Sequence, residues 1–393
     1  MICRARPKFI KKDYEEFLLS STSYFSGNDD GTYYYNRGSN ALQHFLMVFN
    51  TYYNKKARVA VQSFTCHSVL DAIINSGSIA LLYDVSKDDC SLDYKLVDFS
   101  VPIDIIILTH YQGIPNKNYI EFSETCKRKG ILLIDDLAHG ATSTIKTVKL
   151  GALSNIYIES YAWDKPYTAL TGGSLTINKL SKDFITFYTK AYYMLSVEDD
   201  ITAVADIKMI YFTMKYTDPG NYYNDFDYTI FHNMPVLVCF YNNYIFNIKA
   251  YRYILSLIYR IYNKIKQLKY KNTIKRMARI KAAFINMQRL CDTRDALIKF
   301  SIPDLYKNAY FEFVNTDMSV VWNRFSVVAT DKALLDYFKN IGVDVRNFNW
   351  PTCLHDRIEN NHVNCFYMTS FHASEYLSKN ILNIPIWQEM KDC

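Results

Sequence analysis

The chain has 393 residues, 49% of them apolar, enough for two domains or for one large domain with an appendage. Its nine cysteines are odd in number and scattered, with no C-x-x-C pair, which points to free thiols in a reducing cytoplasm rather than a disulfide scaffold. The formal charge of +6 is local: residues 249–289 hold twelve Lys/Arg and no Asp/Glu, and removing those twelve from 45 leaves 33 basic against 39 acidic residues.

The basic N-terminus, Met1-Ile2-Cys3-Arg4, lacks the apolar core of a signal peptide, and no run has the length and apolarity of a membrane span. Asn40 to Asn54 is predicted as a helix behind a Gly38-Ser39-Asn40 start. Arg58 to Gln62 is expected as a strand, Ser68 to Asn75 as a helix ended by Gly77, and Ile79 to Asp84 as a strand. Ile103 to His110 is an isoleucine-rich run of the kind that forms a fully buried strand. Asn118 to Lys129 is predicted helical with Gly130 past its end, and Ile131 to Asp135 and Ile156 to Ser160 are expected as strands. Buried strands alternating with helices predict an α/β domain with a mainly parallel sheet, whose ligands collect at the carboxyl ends of strands.

Residues 181 to 271 are rich in Tyr and Phe and end in the basic helical stretch. Beyond about 290 the pattern turns to α+β: a strand at Phe325–Ala329, a helix at Asp331–Ile341, a strand at Val343–Val345 and a loop at Asn347–Asn361. The expected organisation is a large domain, 1–289, carrying an aromatic and basic insertion at about 181–271, and a smaller C-terminal domain, 290–393.

Lys165 lies between Trp163 and Pro166-Tyr167, ahead of Gly172-Gly173, and Asp136 ends a strand-like apolar run. A lysine on the surface is a solvated charge, and an acid at a strand end is often a helix cap. Together, however, they are the parts needed to hold pyridoxal phosphate (PLP): an amine to attach it and an acid for its pyridine nitrogen. Asp135 and Asp136 are adjacent and point different ways, so only one can face the site. Gly38-Ser39-Asn40 at a helix start offers N–H groups and a hydroxyl to a phosphate, although plain N-capping reads equally well. Ser160, five residues before Lys165, offers a second hydroxyl.

In order along the chain, these segments resemble the DegT/DnrJ/EryC1/StrS family of PLP-dependent sugar aminotransferases of fold type I. Gly38-Ser39-Asn40-Ala41-Leu42 is similar to the family's Gly-Thr-x-Ala-Leu phosphate turn, and Ser63-Phe64-Thr65 to the start of its second unit. Thr109-His110-Tyr111-Gln112-Gly113-Ile114-Pro115 resembles its Gly-x-Pro turn, and Asp135-Asp136-Leu137-Ala138-His139 its Glu-Asp-x-Ala-His/Gln motif. Ser160 and Lys165 keep its serine-to-lysine spacing. Arg276-Met277 with Ala282-Ala283, Leu354-His355 and Asn383-Ile384-Pro385 echo its later segments.

The resemblance implies a fold type I large domain with a smaller α+β domain, a PLP cofactor and a homodimer. It implies that Lys165 carries the cofactor and moves the proton, that Asp136 pairs with the pyridine nitrogen, and that His139 sits beside the ring oxygen. Ser39, Asn40 and Ser160 would bind the phosphate, with Thr65 and His67 also lining the cofactor. The family's aromatic after the threonine, stacked on the ring, is Cys66 here, which offers His67 that role. Its asparagine from the partner subunit is Ile274, which offers Asn272 as a substitute.

The expected activity is transfer of an amino group, from glutamate, to a nucleotide-linked keto sugar in surface polysaccharide or glycan synthesis. One alternative is a PLP-dependent dehydratase or lyase, against which Lys165 counts because the family's sugar dehydratases replace that lysine by histidine. The other is a catalytically degenerate relative that binds a membrane surface or a partner. The stretch 249–289 reads as a solvated helix face, as an attractor of diphosphate substrates, or as a membrane-surface helix. No nucleic-acid reader motif is present, and Cys353, His355, His362, Cys365 and His372 fit no zinc spacing, so neither nucleic acid nor metal is expected.

Overall fold

The computed structural model describes residues 31–140, 142–162, 165–204, 206–207, 273–290, 317–328, 336, 350, 352–358 and 363–384. The strands are β1 (Thr32–Tyr35), β2 (Arg58–Gln62), β3 (Ile79–Tyr83), β4 (Ile105–Thr109), β5 (Leu132–Asp136), β6 (Thr144–Ile145), β7 (Val148–Lys149), β8 (Ile156–Ser160), β9 (Gly173–Ile177), β10 (Met318–Ser319), β11 (Phe325–Val328), β12 (Cys365–Tyr367) and β13 (Ile381–Ile384). The main helices are α1 (Gly38–Tyr53), α2 (His67–Asn75), α3 (Tyr119–Lys129), α4 (Lys182–Tyr193), α5 (Arg279–Leu290) and α6 (His372–Asn380). The helix expected at Asp331–Ile341 falls outside the described residues except at residue 336, and the strand expected at Val343–Val345 falls wholly outside them.

Among the described residues, eight strands form the main sheet in the order β1-β9-β8-β5-β4-β2-β3-β12. The pairs from β8 through to β12 are parallel, and β9 and β1 add antiparallel strands at the other edge. The central strands are apolar on both faces, as a sheet covered twice requires. The period-two alternation sorts them. Val59, Val61, Ile105 and Ile107 point to the side of α1, α2 and α4, whereas Ala60, Ile106, Leu108 and Leu133 point to the side of α3. The result is a three-layer α/β/α arrangement.

Local sequence sets the element ends. α3 stops where Gly130 takes φ 70° and caps the last turn through carbonyls of Cys126 and Lys127. α4 starts at Ser181, whose hydroxyl accepts from the Phe184 N–H. Some of the abundant tyrosines are buried with partners: the Tyr35 hydroxyl meets the Tyr188 hydroxyl at 2.5 Å and His44 Nδ1 at 2.8 Å. Burial lowers the His44 pKa to about 4.

Part of the segment expected to form the smaller C-terminal unit joins the main sheet. Cys365–Tyr367 lies parallel to Ala80–Leu82, and the start of α6 is capped by Asp84, whose Oδ1 accepts from the Ser374 N–H at 2.8 Å. β11 and β13 form a separate antiparallel pair. Of the basic stretch 249–289, residues 249–272 lie outside the described residues. Residues 279–289 belong to α5, which packs through Ala282 and Ile285 on Tyr161, Tyr167 and Met277. Among the described residues no helix is long and apolar enough to cross a membrane.

Candidate active site

The carboxyl ends of β2, β4, β5 and β8 deliver Thr65, Thr109, Asp136 and Ser160 to one edge of the sheet, and Lys165 follows five residues after β8. Thr109 and Asp136 are register partners on adjacent strands. The Thr109 hydroxyl donates to Asp136 Oδ2 at 3.3 Å and lies 3.0 Å from the Thr65 hydroxyl. Asp136 Oδ1 accepts from the Ala138 N–H at 3.0 Å. Burial raises the Asp136 pKa, opposed by the Ala138 N–H and by the charge of Lys165.

Asp135 faces away from this site. Its Oδ2 accepts from the Tyr119 hydroxyl at 2.5 Å and from the Gly151 N–H at 3.0 Å, and Oδ1 lies 3.5 Å from His110 Nε2. Of the two adjacent acids, Asp136 is therefore the one near Lys165.

Lys165 Nζ lies 2.8 Å from Nε2 of the buried His139. His139 Nδ1 accepts from the Gln112 N–H at 3.3 Å. Trp350 stacks on the same imidazole with ring centroids 5.3 Å apart and planes 17° from parallel, and also packs on Tyr111 and Phe64. Trp163 lies outside the described residues.

Ser39 sits half-buried in the first turn of α1, where the helix begins without a side-chain cap and without an acidic residue. Its amides are therefore open to an anion. A Cβ built on Gly38 would lie 3.2 Å from Ser160 Cβ, so the helix start and Ser160 are adjacent. A Cβ on Gly173 would fall 2.3 Å from Gly38 Cα, which makes this corner a backbone cradle that only glycine permits.

Two expected residues are engaged elsewhere. The Asn40 side-chain amide donates to Asn36 Oδ1 at 2.8 Å and to the Thr273 carbonyl at 3.4 Å, because the segment 273–277 runs alongside residues 34–36. His67 Nε2 meets the Thr352 carbonyl and hydroxyl, each at 3.1 Å, and burial lowers its pKa. Cys66 Sγ lies 3.1 Å from the Ser68 hydroxyl. Asn272 lies outside the described residues, and Ile274 packs on the apolar core beside α1.

Thr109, Gln112 and Trp350 were not among the residues expected to build the site. Thr109 had a signal, since it ends the strand next to the one that ends in Asp136. Trp350 had none, because it stands about two hundred residues beyond the histidine it covers.

Residues 25–187 match the model of the DegT/DnrJ/EryC1/StrS aminotransferase family. Over that segment, about two fifths of its length, the chain is similar to this family. A curated relative, UDP-4-amino-4,6-dideoxy-N-acetyl-beta-L-altrosamine transaminase of Campylobacter jejuni, is 27% identical over 128 residues. That match spans 32% of this chain and 34% of the relative. A DegT DnrJ EryC1 StrS aminotransferase from Brucella abortus superposes with TM-score 0.59 at 15% identity, over 98% of this chain and 89% of its own. An Escherichia coli GDP-4-keto-6-deoxy-D-mannose-3-dehydratase with bound hydrated PLP gives 0.63 at 13% identity, over 99% and 96%. The fold is that of the PLP-dependent fold type I enzymes, with a mainly parallel central sheet between helices.

The donor set suits that cofactor. A lysine amine, a buried carboxylate at a strand end, an imidazole between them in sequence, and an uncapped helix start beside Ser160 are the groups that an aldehyde, a pyridine nitrogen, a phenolic oxygen and a phosphate require.

Proposed function

We propose that this protein is a PLP-dependent aminotransferase that transfers an amino group from glutamate to a keto sugar carried on a nucleotide, and that it works as a homodimer. The observation that carries the reading is the meeting of Lys165 and His139 at 2.8 Å beside the buried Asp136. The family match over residues 25–187 and the transaminase relative support the same reaction class.

Bound PLP supplies an aldehyde to which amines attach and a ring that withdraws electrons from the attached carbon. Lys165 supplies the amine that holds the group, and its Nζ takes and returns the proton at the reacting carbon. Asp136, as a carboxylate, keeps a proton on the ring nitrogen. The Thr109 hydroxyl and the Ala138 N–H each occupy one of its oxygens and orient it. Ser39, Ser160 and the α1 amides take the phosphate end. The helical layers cover both faces of the sheet and leave the strand ends as the place where these groups meet.

The purified protein is expected to be yellow, borohydride to fix the cofactor on Lys165, and glutamate to bleach the colour as the pyridoxamine form accumulates. A colourless protein that takes up no PLP overturns the reading. A yellow protein that glutamate leaves unbleached, and that instead eliminates water from a keto sugar, is the lyase.

A further inference from the structure

We propose that Gln112, held in place by Asn323, sets the tautomer of His139, so that the imidazole always directs its Nε2 proton toward Lys165. The proposal deepens the aminotransferase reading by assigning positioning residues to its site, and rests on that reading only for its consequence in the reaction.

An imidazole with an N–H donor against one nitrogen must carry its own proton on the other when neutral. His139 Nδ1 receives the Gln112 N–H at 3.3 Å, so Nδ1 is the acceptor and Nε2 bears the hydrogen. Nε2 in turn faces Lys165 Nζ at 2.8 Å, so in this tautomer the imidazole hydrogen is aimed at the amine that would attach an aldehyde. Trp350 stacks on the imidazole, and the two edge contacts fix its rotation.

The amide that does this is itself held in an unusual conformation. Gln112 has φ 52°, in the left-handed region that a side chain enters only where its surroundings hold it. Asn323 provides the hold from a distant part of the chain. Its N–H donates to the Gln112 carbonyl at 2.9 Å, and its side-chain Nδ2 donates to Gln112 Oε1 at 3.0 Å. The neighbouring residues leave no slack. A Cβ on Gly113 would fall 2.3 Å from the Val321 carbonyl oxygen, and the Val321 N–H donates to the Ser143 hydroxyl at 2.8 Å. The segment 321–323 thus clamps the turn 111–113, and the turn presents one N–H to His139.

Heavy-atom positions do not display the proton, but nitrogen NMR does. The full chain, stripped of cofactor and labelled with 15N-histidine, is examined by two-bond 1H–15N correlation at neutral pH. His139→Gln removes one of the eight histidine signal sets and so assigns it. The expected result is His139 wholly in the Nε2–H form. Asn323→Ala is expected to shift its two ring nitrogens toward averaged positions as the Nδ1–H form appears. Asn323→Asp is expected to restore the single form, because the Gln112 amide can turn its NH2 group to the new carboxylate. The other seven histidines report whether each variant keeps its fold; if Asn323→Ala does not, the wild-type tautomer decides alone. An Nδ1–H or doubly protonated His139 in the wild type overturns the proposal, as does an Asn323→Ala protein that folds with His139 still wholly Nε2–H. Because no cofactor is present, the outcome is independent of PLP uptake, which absorbance measures separately and which alone decides the aminotransferase reading.

Discussion

Gly173 and Gly38 approach so closely that a Cβ on Gly173 would lie 2.3 Å from both Cα and N of Gly38, and 2.8 Å from the Arg37 carbonyl carbon. All three obstacles are backbone, so no rotamer change relieves them. Gly173→Ala must push the start of α1 away from β9 and thereby open the corner where Ser39 and Ser160 meet. Overpacking of this kind costs about 1–3 kcal/mol. The expected outcome is a loss of about that size in urea unfolding, together with weaker PLP uptake measured by absorbance titration. Unchanged stability and uptake would show that the corner is softer than its geometry.

Asp136 and Thr109 are expected to differ in degree. Asp136→Asn cannot hold a proton on a pyridine nitrogen as an anion does, and the loss of one positioned acid–base group lowers rates by about 10²–10⁴-fold. Thr109→Val removes one hydrogen bond to the carboxylate, worth about 1 kcal/mol, or roughly a five- to tenfold change. Stopped-flow absorbance of the half-reaction with glutamate should rank wild type, Thr109→Val and Asp136→Asn in that order. A Thr109→Val rate equal to that of Asp136→Asn would mean that the threonine does more than orient the acid.

The central parallel strands were legible from their apolar runs: Ile105–Thr109 is buried at every position. β1 and β9 were not, since Thr32-Tyr-Tyr-Tyr and Gly173-Ser-Leu-Thr-Ile carry hydroxyls at buried positions, and only pairing satisfies them, as where the Thr32 and Thr176 hydroxyls meet at 2.8 Å. β12 was illegible for another reason. Three residues, Cys365–Tyr367, find their neighbours nearly three hundred positions earlier, and nothing local encodes that partner. The candidate site divides the same way. Lys165, Asp136 and His139 stand in local motifs, whereas the contributions of Asn323 and Trp350 exist only after the chain has folded back.

Lys281 tests a buried charge away from the chemistry. Its side chain is fully buried, and its Nζ meets Glu198 Oε1 at 2.8 Å, Asp206 Oδ2 at 2.7 Å and the Thr171 hydroxyl at 2.8 Å. It therefore ties α5 to the segment after α4 and to the residue before Gly172. Lys281→Met leaves two carboxylates facing each other without their cation, and breaking a buried ion pair costs about 3–5 kcal/mol. Both carboxylates retain some exposure, so the lower end of that range is expected in denaturant unfolding. Adding Glu198→Gln and Asp206→Asn should recover most of the loss, because a neutral set needs no counter-charge. A triple variant as unstable as Lys281→Met alone would assign the cost to lost packing instead.

Asp89 is expected to make stability depend on pH. It is buried in the turn between β3 and β4, where Oδ1 accepts from the Ser91 N–H at 3.0 Å and Oδ2 from the Lys117 N–H at 2.7 Å. Burial outweighs these donors and raises its pKa from 3.8 to about 7. The folded state therefore binds this proton more tightly than the unfolded chain does. Stability from this group is fully present below about pH 4 and is lost as pH rises through about 7. Asp89→Asn removes the titration and adds only a pH-independent offset, since its NH2 group must face one of the two backbone donors. Urea unfolding of both proteins across this range should show the wild type losing ground to the variant from about pH 4 to about pH 7, with a level difference above that. A difference that stays constant, or that moves in favour of the wild type as pH rises, would mean that the two amide donors dominate and keep Asp89 ionised in the fold.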